Sequence, residues 1–378
     1  MSAATHLAGL ILTPAGWLRG ALTLADGRIT TLRGDPVDDD AWRAGAEPLL
    51  LPGFIDLHVH GGGGADTMQA GTAIDTIARI HARHGTTSML ATTMTAPRGE
   101  IEAALRAVAG ACRTRSDGAA RVLGVHLEGP YISPDKLGAQ PAFAVAPAAA
   151  EILALHALAP IRVVTLAPEL PGALETTAAL VAAGIRVQIG HSAASYEQAC
   201  AALHGGASGF THLFNAMSAL HHRAPGAVGA ALAHAAHAEL IPDLLHVHPG
   251  AMRAALRAIP GLYCVTDATA AAAMPDGEYR LGRHVVHKCA GGVRLADGTL
   301  AGSTLTMDQA LRNLVDGVGL GLREASRCVS THAAQYLGLA DRGVLSVGAW
   351  ADVVVLDAQL RLRQVFVEGQ GVDVADAV

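Results

Sequence analysis

Short apolar runs alternate with Ala- and Leu-rich segments of helical period between about residue 50 and residue 340. This alternation is typical of repeated strand–helix units. The pattern predicts eight strands, at Leu50–His58, Thr87–Thr92, Val122–His126, Arg162–Leu166, Arg186–Ile189, Gly209–His212, Ala238–Ile241 and Leu262–Thr266. Eight strands with interleaved helices over this length favour an α/β fold built on a closed (β/α)8 barrel, TIM-like in topology.

The segments between these strands carry helical periodicity. The predicted helices are Ala73–His84, Glu100–Cys112, Ala148–Leu158, Leu174–Ala183, Ser195–His204 and Ala251–Ile259. Gly85, Gly184 and Gly205 follow three of them, where a helix end favours a residue that can adopt positive φ. These glycines support the predicted ends of the helices.

Both chain ends carry strand-like runs outside the predicted barrel. The runs are Leu7–Leu12, Ala21–Leu24, Ile29–Leu32, Val353–Leu356 and Arg363–Val367. Neither end can bury a core alone, so we expect residues 1–50 and 344–378 to form one small β-sandwich domain and residues 51–343 to form the barrel. The segment Met274–Thr299 carries two Asp-Gly turn signals and predicts a β-hairpin inserted after the eighth strand.

Composition narrows the class of protein. The chain has 378 residues, 51% apolar and 16% charged, and a net charge of −6 with scattered basic residues. Such a distribution offers no electrostatic footprint for nucleic acid, and no uninterrupted apolar run reaches the ~20 residues of a membrane span. Five cysteines without a C-x-x-C pair argue against a disulfide framework or a thiolate zinc site. We therefore expect a cytoplasmic protein without nucleic-acid or membrane partners.

Ligand-type residues stand at the carboxyl ends of several predicted strands. They are His58, His60, Glu128, His191, His212 and Asp267. Active sites of (β/α)8 barrels lie on that face, and imidazole and carboxylate groups bind zinc and iron-type ions. A single histidine after a strand is usually structural, but agreement among four strand ends predicts a metal site. Glu128, His191 and His212 would form a three-ligand set that leaves a position open for water.

Asp267 follows the eighth predicted strand and suits a general base. A metal ion lowers the pKa of bound water toward ~7, and a nearby carboxylate can accept its proton and return it to a leaving group. This pairing implies hydrolysis. The alternative is an aspartate that only caps the turn after the strand. A glycosidase carboxylate pair with Glu128 is disfavoured by the surrounding imidazoles.

Two features point to a phosphorylated substrate. Asn215 and Ala216 follow His212 in a predicted loop, and Arg223 precedes a Pro-Gly pair. The guanidinium fork of arginine suits phosphate oxygens. Taken alone this signal is weak, because most arginines are simply solvated.

The segment Leu51–His60 resembles the opening of an amidohydrolase-superfamily barrel. Five further motifs, in order along the chain, resemble those of the N-acetylglucosamine-6-phosphate deacetylase family: His126–Tyr131, Gly190–Ser192, Thr211–Met217, Val265–Ala268 and Leu300–Ser303. The resemblance spans nearly the whole chain. It implies hydrolysis of N-acetylglucosamine 6-phosphate to glucosamine 6-phosphate and acetate in amino-sugar metabolism, by a cytoplasmic homodimer.

The resemblance also implies roles for individual positions. Glu128, His191 and His212 would bind the main divalent metal, with metal-bound water as nucleophile and Asp267 as general acid/base. The substrate contacts would be Ala139, Gln140, Asn215, Ala216, Arg223, His246, Leu300, Ala301 and Gly302. Arg223 and His246 would face phosphate or sugar oxygens. Gln140 stands where some members have His, and glutamine donates a hydrogen bond but cannot titrate.

The number and kind of metal ions follow from the same resemblance. Members that retain the His58 and His60 pair can bind a second ion bridged by the glutamate, so we expect one tight site and a weaker second. Zinc is the expected ion, although this donor set also accepts iron, manganese or cobalt. The fourth predicted strand lacks the carboxylated lysine of dihydroorotase-like and urease-like relatives.

Three other functions remain open from the sequence. The first is the same reaction on N-acetylgalactosamine 6-phosphate, which differs in the orientation of one hydroxyl. The second is hydrolysis of an unphosphorylated acyl or cyclic amide substrate. The third is a catalytically silent sugar-phosphate sensor, which the base beside the metal ligands argues against.

Overall fold

A computed structural model describes residues 4–45 and 47–374. Its strands are β1 Thr5–Thr13, β2 Gly16–Ala25, β3 Arg28–Pro36, β4 Leu49–Pro52, β5 Phe54–Val59, β6 Gly61–Gly62, β7 Ala65–Asp66, β8 Thr86–Thr92, β9 Arg121–Glu128, β10 Ile161–Leu166, β11 Arg186–Ile189, β12 Gly209–Phe210, β13 Glu239–Leu240, β14 Tyr263–Cys264, β15 Gly277–Leu281, β16 His284–Cys289, β17 Gly292–Arg294, β18 Val353–Leu356, β19 Leu362–Val367 and β20 Gln370–Val372. Its α-helices are α1 Ala73–Ala82, α2 Arg98–Arg113, α3 Ala149–His156, α4 Ala173–Ala182, α5 Tyr196–His204, α6 Gly226–His234, α7 Pro249–Ala258, α8 Met307–Arg312, α9 Leu322–Ser326 and α10 His332–Leu337.

A curled parallel sheet forms the centre of the molecule. Six strands pair in the order β12-β11-β10-β9-β8-β5, and α1 to α5 connect successive strands of this sheet. Strands β13 and β14 form a separate parallel pair. Backbone hydrogen bonds just outside these strands join the two sheets. Leu213 N donates to the Glu239 carbonyl (2.9 Å), Asp267 N donates to the His58 carbonyl (2.9 Å), and Val59 and Ala268 form a parallel bridge. The parallel strand–helix architecture is confirmed, whereas continuous strand pairing stops after β12.

The parallel strands are buried on both faces, as expected where helices cover one side. All seven residues of β8 are buried. The helices contribute narrow apolar faces: Ile74, Ile77 and Ala78 of α1 recur at helical spacing and join the main core. None of the helices in the described part of the chain combines the length and apolar character needed to cross a membrane.

The two chain ends meet in one seven-stranded mixed sheet, in the order β20-β19-β18-β4-β1-β2-β3. The sequence predicted a small β-sandwich built from both chain ends; in the structure their strands form one sheet that curls back on itself. Ile29 N at the start of β3 donates to the Ala349 carbonyl (2.9 Å), just before β18. The curled sheet encloses its own small core, which includes Ile11, Leu24 and Val353.

The predicted first strand, Leu50–His58, divides at Gly53. Its first part, β4, pairs with β1 and β18, and its second part, β5, pairs with β8. A Cβ at Gly53 would lie 2.3 Å from the Thr87 side chain, so only glycine fits where the chain passes from one sheet to the other. Leu51 and Pro52 therefore belong to the terminal sheet and not to the predicted barrel strand.

The inserted segment after β14 forms three antiparallel strands, β15 to β17, where the sequence predicted one hairpin. Leu281, Val286 and Val293 give it a small apolar core shared with Met94. Asp66 anchors the insert by accepting a hydrogen bond from Gly282 N (2.8 Å). The insert thus lies beside the carboxyl ends of the parallel strands.

An ion-pair cluster joins the terminal sheet to the parallel sheet. Glu368, in the turn between β19 and β20, binds Arg121 (2.9 and 2.7 Å), Arg115 (3.1 Å) and Arg342. Burial raises the pKa of Glu368, but these guanidinium groups outweigh burial and lower the pKa to about 2.

Candidate metal centre and active site

Three ligand atoms converge at the carboxyl ends of β9, β11 and β12. His191 Nε2 and His212 Nε2 lie 3.1 Å apart, and they lie 3.2 and 3.1 Å from Glu128 Oε1. All three side chains are buried. His191 and His212 have φ values of +46° and +30°, in the left-handed region that non-glycine residues rarely adopt. The backbone therefore turns sharply at each strand end, and the two rings converge on Glu128.

This triangle fits a divalent cation. Ligand atoms 2.0–2.1 Å from a tetrahedral zinc stand about 3.3 Å from one another. The observed edges of 3.1–3.2 Å are close to that spacing. His191 Nδ1 lies 2.8 Å from the Lys136 carbonyl oxygen, which can only accept. The ring proton is therefore on Nδ1, and the Nε2 lone pair faces the group.

A second group lies on the other side of Glu128. His58 Nε2 and His60 Nε2 are 3.1 Å apart, and they lie 3.4 and 3.3 Å from Asp267 Oδ1. Glu128 Oε2 is 3.2 Å from His60 Nε2. One carboxylate thus serves both groups, its Oε1 facing His191 and His212 and its Oε2 facing His60. This is the arrangement of a bridging ligand.

The electrostatics of the two groups favour positive charge. Burial raises the pKa of Glu128, but the neighbouring histidines outweigh it and hold that pKa well below its usual range. For Asp267, His58 and His60 likewise overcome burial and lower the pKa. Both carboxylates are thus held ionised among imidazoles. A cation bound at either group would neutralise the negative charge of these buried carboxylates.

Gln140 supports the shared carboxylate. Its Nε2 donates to Glu128 Oε2 (2.6 Å), and its Oε1 accepts from Thr95 N (2.7 Å). The sequence predicted Gln140 only as a substrate contact. The structure shows that it also orients Glu128.

A cavity of about 340 Å³ opens over both groups. Seven of the nine predicted substrate contacts line it: Ala139, Gln140, Asn215, Ala216, His246, Leu300 and Gly302. His246 Nδ1 lies 2.7 Å from Asp243 Oδ2. Burial lowers the pKa of His246, but the Asp243 carboxylate outweighs burial and raises it above its ordinary value. Asp243 thus favours the protonated, donating form of the His246 ring, which lines the cavity.

Arg223 and Ala301 lie apart from the other predicted contacts. Arg223 is exposed, and its Nη1 lies 2.8 Å from His222 Nε2. Its turn closes through backbone hydrogen bonds between His221 and Ala224, which hold it outside the cavity lining. Ala301 is fully buried and packs in the core of the insert. The single chain therefore does not bring either residue to the cavity.

Sequence reasoning missed two buried carboxylates beneath the site. Glu239 Oε2 lies 2.9 Å from His58 Nδ1. Asp56 Oδ2 accepts from Thr266 Oγ1 (2.6 Å), and burial raises the pKa of Asp56 to about 7. The sequence does mark both residues, because Asp56 and Glu239 are each an acidic residue within an otherwise largely apolar predicted strand.

Comparison with known proteins assigns the chain to a family. The model of the family described as "Amidohydrolase family" matches residues 49–376. The chain belongs to the amidohydrolase family. This amidohydrolase is 43% identical to N-acetylgalactosamine-6-phosphate deacetylase of Escherichia coli O157:H7, with 97% of this chain and 99% of the relative covered. It is also 43% identical to N-acetylglucosamine-6-phosphate deacetylase of Lysinibacillus sphaericus, with 86% of each chain covered.

Solved structures agree with these relatives. A mutant N-acetyl-D-glucosamine-6-phosphate deacetylase from Mycobacterium smegmatis, in complex with N-acetyl-D-glucosamine-6-phosphate, superposes with a TM-score of 0.90 at 34% identity over 99% of this amidohydrolase and 100% of that chain. The N-acetylglucosamine-6-phosphate deacetylase from Thermotoga maritima gives a TM-score of 0.88 at 32% identity over 97% and 99% of the two chains. The resemblance predicted from the motifs is confirmed.

Proposed function

We propose that this amidohydrolase removes the acetyl group from N-acetylglucosamine 6-phosphate and releases glucosamine 6-phosphate and acetate. The observation that carries the proposal is that the Glu128–His191–His212 triangle and Asp267 line one cavity. The relatives named for this reaction, at up to 43% identity, supply the substrate class. Metal ligands beside a buried carboxylate base suit amide hydrolysis.

Two groups of residues would hold divalent ions. Glu128, His191 and His212 would hold the tight one. His58 and His60 would hold a weaker second together with Glu128, whose Oε2 lies 3.2 Å from His60 Nε2. A bound ion would supply Lewis-acid polarisation and lower the pKa of water. Zinc is the ion we propose, because nitrogen and oxygen donors at this spacing suit its tetrahedral geometry; iron, manganese and cobalt accept the same donors.

Asp267 would carry the proton. Its low pKa keeps the carboxylate ionised, so Oδ1 can accept a proton from the attacking water as the carbon–oxygen bond forms. The carbon–nitrogen bond then breaks, and Asp267 delivers the same proton to the departing amine. Asp267 is only 7% exposed, so bulk water has little access to the carboxyl group during this transfer.

The cavity would select a phosphorylated sugar. Its volume of about 340 Å³ lies within the range of small-ligand pockets. His246, held by Asp243, offers a charge-assisted donor for phosphate or sugar oxygens. Gln140, with its amide already bound to Glu128 and Thr95, would contact substrate only through its remaining N–H.

We further propose the finer architecture. The eight strands β5 and β8 to β14 would close a (β/α)8 barrel, which the hydrogen bonds between Leu213 and Glu239 and between Asp267 and His58 support. The chain ends would form the second domain, with its boundary at Gly53. On the family resemblance we expect a cytoplasmic homodimer, and light scattering after size-exclusion chromatography would then give twice the monomer mass.

Amine release by metal-replete protein tests the function. The substrates are N-acetylglucosamine 6-phosphate, N-acetylgalactosamine 6-phosphate and unphosphorylated N-acetylglucosamine. We expect turnover of the first and little of the third. Preference for the unphosphorylated sugar would contradict the phosphate contact, and binding without turnover would instead support a silent sensor.

One observation favours a second candidate, deacetylation of N-acetylgalactosamine 6-phosphate. The E. coli relative with that name covers more of this chain than the L. sphaericus relative does at the same identity. The ratio of kcat/KM on the two 6-phosphates decides between them. A ratio above about tenfold for the galactosamine derivative would overturn the first assignment, since tenfold corresponds to ~1.4 kcal/mol of discrimination.

A further inference from the structure

Glu239 lies beneath the metal groups, in the interior of the curled sheet. It is the first residue of β13 and is fully buried, as is His58. Its Oε2 lies 2.9 Å from His58 Nδ1 and accepts from His212 N (3.3 Å). Its Oε1 accepts from Tyr263 OH (3.3 Å). One carboxylate therefore touches a residue of each metal group.

The hydrogen-bond directions around Glu239 can be assigned from geometry. Gln188 Nε2 donates to Tyr263 OH (2.6 Å), which leaves the tyrosine proton for Glu239 Oε1. His212 N can only donate, so Oε2 is an acceptor as well. With both oxygens accepting, the hydrogen bond to His58 must come from a proton on Nδ1.

This assignment fixes the tautomer of His58. A neutral imidazole with its proton on Nδ1 keeps the lone pair on Nε2. That Nε2 lies 3.1 Å from His60 Nε2 and 3.4 Å from Asp267 Oδ1, which is where the second ion would bind. With the opposite tautomer, an N–H would point into the group and block coordination.

We propose that Glu239 is a positioning residue that holds His58 in the tautomer and orientation required for the second metal ion. The proposal rests on the metal site of the proposed function and not on the identity of the substrate. Outer partners of metal-binding histidines typically change metal affinity by about 10- to 100-fold when they are removed. Glu239 should therefore control the occupancy of the second group more than that of the first.

Metal titration of three variants tests the proposal. Glu239→Ala removes the carboxylate, and Glu239→Gln keeps its shape and can still accept from His58. Glu324→Ala on α9, at a side chain that is 44% exposed, is the control. Stoichiometry and affinity are measured with Zn²⁺ and with the visible absorption of Co²⁺. We expect Glu239→Ala to weaken the second ion by about tenfold or more and the first by less, with partial rescue in Glu239→Gln.

A second measurement keeps the test independent of metal. Nitrogen-15 NMR of histidine-labelled, metal-free protein reports the tautomer of His58, whose signal is assigned by its loss in His58→Gln. Spectra are recorded at a pH at which the ring is neutral, because the surrounding carboxylates outweigh burial and raise the pKa of His58. We expect a proton on Nδ1 in the wild type and a mixed or Nε2-protonated ring in Glu239→Ala. Nε2 protonation in the wild type would overturn the proposal, and so would equal loss of both ions in Glu239→Ala.

These readouts separate the two proposals. A wild type that binds two ions but does not release amine would contradict the proposed reaction and leave the role of Glu239 supported. If the wild type has full deacetylase activity but Glu239→Ala leaves the His58 tautomer unchanged, the proposed reaction is supported and the role of Glu239 is contradicted.

Discussion

At the scale of single residues, the site depends on carboxylates that face two directions. Glu128 offers one oxygen to each metal group, and Asp267 faces both His58 and His60. Burial would ordinarily favour the neutral acids, but the imidazoles reverse that preference. Both carboxylates are therefore ionised and able to bind a cation or accept a proton.

Asp267→Asn should keep the ion bound by Glu128, His191 and His212 and lose most turnover. An amide cannot accept the proton from water, and general acid–base catalysis contributes roughly 10²- to 10⁴-fold. Metal content and kcat measured on the same preparation check this. Asp276→Asn, an exposed change outside the cavity lining, is the control and should retain full activity. Near wild-type kcat in Asp267→Asn would remove Asp267 from the mechanism.

His246→Gln should raise KM for the 6-phosphorylated sugar by about 10- to 100-fold, because a hydrogen bond to a charged group contributes ~1.5–3 kcal/mol. Asp243 raises the pKa of His246, so the imidazolium is present below that pKa and is lost as pH rises through it. Affinity of the wild type should therefore fall with rising pH, and this slope should disappear in His246→Gln. KM for the 6-phosphorylated sugar, measured against pH in the wild type and in His246→Gln, checks this. A slope that persists in the variant would assign the titration to another group.

At the scale of secondary structure, strand ends and the connections between sheets place the chemistry. His191, His212 and Asp267 all adopt positive φ directly after their strands. Asp56 ties β5 to the segment before Asp267 through Thr266, so the two strand ends that carry the second group are held together. Gly53, in contrast, separates two strands, because it allows the chain to pass directly from β4 in the terminal sheet to β5 in the parallel sheet.

Glu368→Gln should lower the free energy of unfolding by about 2–3 kcal/mol, since three arginines lose an anionic partner. The folded-state pKa is about 2, below the ordinary value of 4.5, so the stabilisation is complete above pH 4.5 and is lost as pH falls toward 2. Urea denaturation between pH 7 and pH 3 measures both effects. Glu278→Gln, at a side chain that is 73% exposed, is the matched control. Equal stability of the two variants would contradict the linking role of Glu368.

At the scale of the whole molecule, metal binding and folding should be coupled. The ligands come from β5, β9 and the segments after β11, β12 and β14, so a bound ion would join much of the curled sheet. In the metal-free state the same residues bring buried imidazoles and carboxylates together. Removal of the ion should therefore destabilise the entire sheet.

Chelation should lower the free energy of unfolding by about 4 kcal/mol when the starting sample held free metal at a thousandfold excess over Kd. Differential scanning calorimetry with and without chelator measures the shift, and restored Zn²⁺ should reverse it. A variant with His191→Ala and His212→Ala should lose most of this response, because only the weaker second group remains. An unchanged Tm in the chelated wild type would count against a tight metal site.

The sequence by itself determined the order of parallel strands and helices and the ligand-type residues at their ends. Apolar periodicity and residue chemistry are local properties of the chain, so His58, His60, Glu128, His191, His212 and Asp267 could be identified together. Only the tertiary structure placed Glu239 under His58, turned Gln140 toward Glu128, divided a strand at Gly53 and left Arg223 outside the cavity. Those outcomes depend on contacts between residues distant in the chain, and spacing along the sequence does not encode which side chain will meet which partner.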